Sequence, residues 1–265
     1  MVCGNPYWSV FAVFDGHGRY GELVSHVVRD SVMRFFGEGS KNIDKPKDLL
    51  ENAFAYAARI LGNQSSFDAS FSGCTGTMVL IDIKKREIYT CNVGDSRIIL
   101  GTGRGKIALP CELTIDHSPD VGEELRRIQK AGGRVMDFGG VARVCGPVEV
   151  APGLAMSRSF GDNVATSLGV NCIPDSQKKM FGGDDKFVIV GSDGIYDFLS
   201  NAQICSIVSS SMKASAKKDD FSRPNPQEAA STLVKESTKR WLKNGGGTID
   251  DCTCFVILLN SNAPP

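Results

Sequence analysis

Phe11-Ala12-Val13-Phe14-Asp15-Gly16-His17-Gly18 joins an apolar run to a carboxylate and, two residues later, an imidazole. A short run rich in Val and Phe reads as a buried strand. An acid at its end is held rigidly at the rim of a core, as a hard divalent cation requires. The imidazole is the side chain that handles protons near neutral pH. The pattern returns downstream: Phe187-Val188-Ile189-Val190 leads into Gly191-Ser192-Asp193-Gly194-Ile195-Tyr196-Asp197. Asp250-Asp251-Cys252-Thr253 then precedes the apolar stretch Cys254–Leu259. Carboxylates ~4 Å apart repel by roughly 4 kcal/mol at an effective dielectric of ~20. Acids from three buried strands therefore either stay apart as solvated turns or meet around metal.

The elements that must position these groups are legible from periodicity. Leu23, Val27, Val28, Val32, Phe35 and Phe36 give Glu22–Phe36 a helical stripe, and Pro46 opens a second helix through Leu61. Thr77–Ile83, Ile88–Val93 and Arg97–Leu100 are short strands separated by tight turns, which predicts mostly antiparallel sheet. Pro119–Ala131 reads as a helix ended by two glycines, and Arg134–Val144 as a hairpin. Asn163–Gly183 reads as a long irregular segment. Asn201–Met212 is a helix, Lys213–Pro226 a polar loop, and Pro226–Lys243 the last long helix. No linker or repeat divides the chain, so residues 1–265 read as one domain with sheets inside and helices outside.

Composition narrows the partners. Lys plus Arg and Asp plus Glu each total 30, so net charge is zero and no polyanion such as nucleic acid is indicated. No apolar run reaches the ~20 residues of a membrane span, and Met1–Pro6 does not read as a secretory leader. Nine scattered cysteines read as reduced thiols of a cytoplasmic or nuclear protein. Gly16-His17-Gly18-Arg19-Tyr20-Gly21 matches a dinucleotide-binding turn. However, Asp15 would repel a pyrophosphate, and the following helix leads to another helix, not to a parallel strand.

The ordered set Phe11–Gly18, Ser72–Thr77, Asn92–Arg97, Thr114–Asp120, Glu124–Gly133, Gly153–Asp162, Ser192–Ser200 and Asp250–Thr253 resembles one family. It is that of the metal-dependent Ser/Thr protein phosphatases of type 2C. The resemblance implies an α+β, four-layer αββα sandwich, with two antiparallel sheets face to face and helices outside. It implies two Mg²⁺ or Mn²⁺ ions held by Asp15, the Gly16 carbonyl, Asp193 and Asp250, although Asp251 stands where the family has asparagine. Asp116 and Asp197 would hold a weaker third ion. His17 would protonate the leaving oxygen, and residues 163–183 would form a flap beside the substrate groove. The implied reaction is hydrolysis of phosphoserine and phosphothreonine in proteins by an ion-activated water.

Other motif residues read as structural: Asp95 with Arg97 as an ion pair or hydrogen-bond set, Arg158 and Asp162 likewise, and His117 as orienting Asp116. His26 reads as having no chemical role, and Trp8 and Trp241 as core or interface. Family members carry a hairpin before the first motif, with a Glu-Asp pair and a phosphate-gripping arginine. Met1–Ser9 lacks these groups, and Arg19 is the nearest candidate for the arginine. The expectation is a shortened domain whose uncovered sheet edge favours self-association. A phosphatase-like binding module of low turnover is the competing reading.

Overall fold

The computed structural model describes residues 6–39, 45–218 and 224–259. In chain order its elements begin with strands β1 (Trp8–Val13) and β2 (Gly16–His17), then helices α1 (Gly21–Arg34) and α2 (Pro46–Gly62). Strands β3 (Gly73–Cys74), β4 (Gly76–Asp82), β5 (Glu87–Val93), β6 (Arg97–Thr102) and β7 (Leu109–Glu112) follow, and then helix α3 (Gly122–Lys130). Next come β8 (Arg134–Phe138), β9 (Val141–Cys145), β10 (Pro152–Leu154), β11 (Phe160–Gly161) and the single-turn α4 (Asn163–Thr166). The chain continues through β12 (Asp175–Met180), β13 (Asp185–Gly191), α5 (Asp193–Tyr196), α6 (Asn201–Lys218), α7 (Pro226–Asn244) and β14 (Cys254–Leu258).

Alternation along the central strands builds four layers. In β4, Met78 and Leu80 face a core shared with α1 and α2, while Val79 and Ile81 face the other way. In β6 and β13, Ile98, Leu100, Val188 and Val190 meet Val79 and Ile81 in an inter-sheet core. Ile99, Phe187 and Ile189 turn outward onto α5, α6 and α7. Strands buried on both faces must be apolar at successive positions, which is why they read as continuous hydrophobic runs. The sheets run β1-β4-β5-β12 and β14-β13-β6-β7, and every pair of named strands is antiparallel. The αββα sandwich is therefore present. The glycine-rich turn after Asp15 is not part of a βαβ unit, because the next named elements after α1 are helical and every pairing of named strands is antiparallel.

The largest differences from the sequence reading lie in residues 163–183 and at the end of α6. Residues 163–183 are not irregular throughout: α4 occupies 163–166, and β12 pairs with β5 at the end of its sheet. Asp175-Ser176-Gln177-Lys178-Lys179-Met180 has no apolar alternation because an end strand carries charge against unwanted pairing. The segment that stands away from the sandwich is the small sheet β8–β9–β10, where Phe138, Val141 and Val148 are exposed. Helix α6 continues through Lys218, past the start of the expected polar loop. Among the described residues no helix is long and apolar enough to cross a membrane. There, β1 and β14 are also the end strands on one side, with Phe11 and Phe255 5.7 Å apart across a groove of about 770 Å³.

Phe54 of α2 ties a helix layer to the site-bearing end of the fold. It is fully buried, packs edge-on to Phe160 at 5.3 Å, and meets Phe14 at 6.3 Å. Replacing it with alanine is expected to lower unfolding free energy by about 3–5 kcal/mol in denaturant titration, the usual cost of emptying a buried aromatic site.

Candidate metal centre

The acidic residues gather where strands of both sheets end. Asp15 lies two residues beyond β1 and Asp95 two beyond β5, Asp193 opens α5 after β13, and Asp250 precedes β14. Gly191 pairs with both Arg97 and Cys254, so these ends of the second sheet lie side by side. The backbone is clamped around each acid. Asp15 N–H donates to Thr75 Oγ1 at 3.1 Å, and its carbonyl accepts from Thr75 N at 2.8 Å. Ser192 donates to the Asp251 carbonyl at 2.7 Å and accepts from Thr253 N at 3.1 Å, which fastens the two turns together. Gly194 has no side chain because the Asp251 carbonyl lies 2.6 Å from where a Cβ would stand. Its own carbonyl accepts from Trp241 Nε1 at 2.9 Å.

The charges are mutually perturbing. Burial pushes the Asp15 carboxyl up to about 8, with Asp193, Asp250 and Asp95 adding to the effect. Asp193 is raised by burial and then by Asp250. Asp95 is pushed up to about 7 by burial, then by Asp193 and Asp116, and Asp197 to about 6 by burial, Asp193 and Asp250. The Asp193 Oδ1 atom is buried without a hydrogen-bond partner. Among the described residues, no three His, Cys, Asp or Glu side chains are already closed into a metal-ligand group. The donor set nevertheless fits a hard divalent cation: it is all oxygen, partly desolvated, and holds one orphaned carboxylate oxygen.

Asp15, Asp193, Asp250 and Asp197 thus share one electrostatic field, and Gly16 stands beside Asp15 in β2. Of the two adjacent acids, Asp250 is the one whose charge acts on Asp15, Asp193 and Asp197, whereas Asp251 contributes its backbone carbonyl to Ser192. Asp116 joins the field, but both its oxygens accept from Arg97, at 3.0 and 2.5 Å. Arg97 also donates to Asn201 at 2.9 Å and lies over the Tyr196 ring. The expected Asp95–Arg97 pair is therefore corrected, and Asp95 belongs with the acids. It follows an apolar strand as Asp15 and Asp193 do, which was the signal available in the sequence. Arg19 lies over the Tyr20 ring. His26 is exposed, Trp8 is buried, and Trp241 packs edge-on to Phe198.

His17 Nε2 lies 2.7 Å from Asp162 Oδ2. Burial opposes a charge on the ring, but the bond and charge of Asp162 outweigh it, so His17 holds its proton to higher pH than a free histidine. His117 does not orient Asp116. Its Nδ1 accepts from Gly94 N–H at 3.0 Å, so in the neutral ring Nε2 carries the proton, directed at Asp175 3.2 Å away. Burial, followed by Arg158, lowers its pKa. Asp175 and Glu124 hold Arg158, and Glu124 also accepts from Arg127 and Ser157. Arg158 is structural, as expected from sequence.

A sequence profile described as Protein phosphatase 2C matches residues 3–244. A rice protein named "Probable protein phosphatase 2C 64" is 37% identical over 262 residues, covering 94% of this chain and 58% of its own length. An Arabidopsis thaliana protein named "Probable protein phosphatase 2C 72" is 32% identical, with 96% of this chain and 77% of the relative covered. The crystal structure of a serine-threonine phosphatase 2C from Toxoplasma gondii superposes with a TM-score of 0.73 at 21% identity, over 97% of this chain and 86% of that one. The fold is that of the protein phosphatase 2C structures, and the profile spans most of the chain. This chain belongs to the protein phosphatase 2C family. It spans 58% of the length of the first two curated relatives it matches.

Two pH-dependent outcomes follow. Burial works against the Glu124 charge, but Arg158, Arg127 and Ser157 bring its carboxyl down from 4.5 to about 2. A depressed folded-state value contributes stability above the unfolded value and loses it as pH falls toward 2. The contribution is about 3 kcal/mol at pH 7. Glu124→Gln should therefore cost about that much in chemical denaturation at pH 7 and little near pH 2. The Asp15 shift has the opposite sign. A raised carboxyl disfavours the ionised fold, so metal-free protein should lose stability as pH rises from about 4 to about 8. Thermal melts should show Asp193→Asn more stable than wild type at pH 8 without metal, by on the order of 2 kcal/mol, and less responsive to Mn²⁺.

Proposed function

We propose that this chain is a metal-dependent protein serine/threonine phosphatase. The carrying observation is the meeting of Asp15, Asp193 and Asp250 in one electrostatic field, with the buried, unpartnered Asp193 Oδ1 among them. Family membership supports the reaction class, and the relatives carry the name of probable protein phosphatases.

Asp15, the Gly16 carbonyl, Asp193 and Asp250 would hold two Mg²⁺ or Mn²⁺ ions. When bound, such ions neutralise phosphoryl charge and make water nucleophilic near neutral pH. Asp197 and Asp95 stand nearby as further negative charges. Asp116, the third-ion candidate, already accepts a hydrogen bond from Arg97 on each oxygen and would offer an ion its remaining lone pairs. His17, part-exposed and paired with a carboxylate, stands where a proton can be held for the departing serine or threonine oxygen. The substrates are proteins carrying phosphoserine or phosphothreonine.

Hydrolysis of a phosphothreonine peptide followed with and without Mn²⁺ tests this. The expected result is metal-dependent phosphate release, reduced more than about 100-fold by Asp193→Ala. His17→Ala should slow the peptide more than an aryl phosphate, whose leaving group needs little protonation. Peptide binding without metal-dependent turnover would instead identify a binding module.

A further inference from the structure

Asp162 adopts φ 47°, ψ 51°, a left-handed conformation that residues with side chains rarely take. Such a conformation persists where its surroundings over-determine it. Here Asp162 N donates to Ser72 O at 2.9 Å, and its own carbonyl accepts from Thr166 N at 2.9 Å. Its Oδ2 accepts from Ser159 Oγ at 2.7 Å and faces His17 Nε2 at 2.7 Å. The seat exists only because residue 73 is glycine, since a Cβ there would stand 2.1 Å from that oxygen. Register explains the encounter across 145 residues: β3 lies between β2 and β11, with Gly73 opposite both His17 and Gly161. The carboxylate is almost fully buried, whereas the imidazole is 28% exposed.

A carboxylate only accepts, so Nε2 carries the proton that joins His17 to Asp162. The remaining nitrogen, Nδ1, is free to work. Given the phosphatase reading, we infer that Asp162 is a positioning residue that fixes the His17 tautomer, so that Nδ1 protonates the leaving oxygen. In that step a water-derived oxygen bonds to phosphorus as the bond to the serine or threonine oxygen breaks. The bonding pair stays on the departing oxygen, which takes the Nδ1 proton. His17 keeps its Nε2 proton and regains the other from solvent. This is the division of labour in which a buried carboxylate orients a proton-transferring imidazole.

Long-range ¹H–¹⁵N spectra of histidine-labelled, metal-free protein, with His17 assigned by its own variant, test the tautomer without turnover. Neutral His17 should show a protonated Nε2 and a bare Nδ1, and the reverse would overturn the inference. Asp162→Asn tolerates the left-handed backbone and removes the charge. It should lower peptide kcat by about 100-fold and 4-nitrophenyl phosphate kcat by less than about 5-fold, with peptide KM nearly unchanged. In a His17→Ala background the same change should alter peptide kcat less than about twofold. Equal losses on the two substrates, or an undiminished loss without His17, would overturn it. If wild type hydrolyses neither substrate with Mn²⁺, the phosphatase reading fails while the spectra still decide the tautomer.

Discussion

Like charges held together and partly desolvated are the constraint on which this molecule turns. Burial raises the proton affinity of Asp15, Asp95, Asp193 and Asp197, and neighbouring acids, with Asp193 and Asp250 prominent among them, raise it further. Among the described residues the cations offset this only in part: Arg97 acts on Asp197 through its charge, but its hydrogen bonds go to Asp116 and Asn201. Such an arrangement persists only if the backbones carrying the acids cannot separate. Thr75 grips Asp15, Ser192 ties the Asp193 turn to the Asp250 turn, and Trp241 holds the Gly194 carbonyl from the helical layer. The two packed sheets supply the rigidity, and the acids collect at their shared end.

A second polar cluster stiffens the approach to the first. Glu124 in α3, Ser157 and Arg158 before β11, and Asp175 at the start of β12 are linked through charged hydrogen bonds, and His117 extends the chain to Gly94, beside Asp95. Most of these groups satisfy one another, which is the condition under which buried polar networks rigidify a fold instead of weakening it. The cluster also ties α3 and the segment before β11 to β12 and, through His117, to the turn that carries Asp95.

Much of this was legible in the sequence, for identifiable reasons. Asp15, Asp193 and Asp250 border runs too apolar to lie on a surface, sheets inside and helices outside follow from the grouping of strands and helices, and the four αββα layers were implied by the family resemblance. Asp95 has the same signature, but Arg97 two residues away suggested an ion pair that the fold does not make. Asp162 was invisible as a partner of His17 because their contact is created by register between β2, β3 and β11. Strand β12 was missed because its stability comes from backbone pairing with β5 and its side chains are mostly exposed and polar. Helix α6 outran its apolar stripe, since helix ends are set by capping and packing more than by periodicity.

The two carboxylates closest to the proposed chemistry are treated oppositely by the fold. Asp15 is surrounded by other acids and left short of donors, so the protein alone holds it at a cost and a cation relieves it. Asp162 is supplied with a serine hydroxyl, an imidazole and a glycine-made seat, so it is satisfied before any ligand arrives. Unsatisfied charge marks where the molecule must bind something from solution. Satisfied charge marks where it has already fixed a geometry. Between them stands His17, two residues from the first acid and hydrogen-bonded to the second, so the strain of the ion site and the order of the proton site meet on one imidazole.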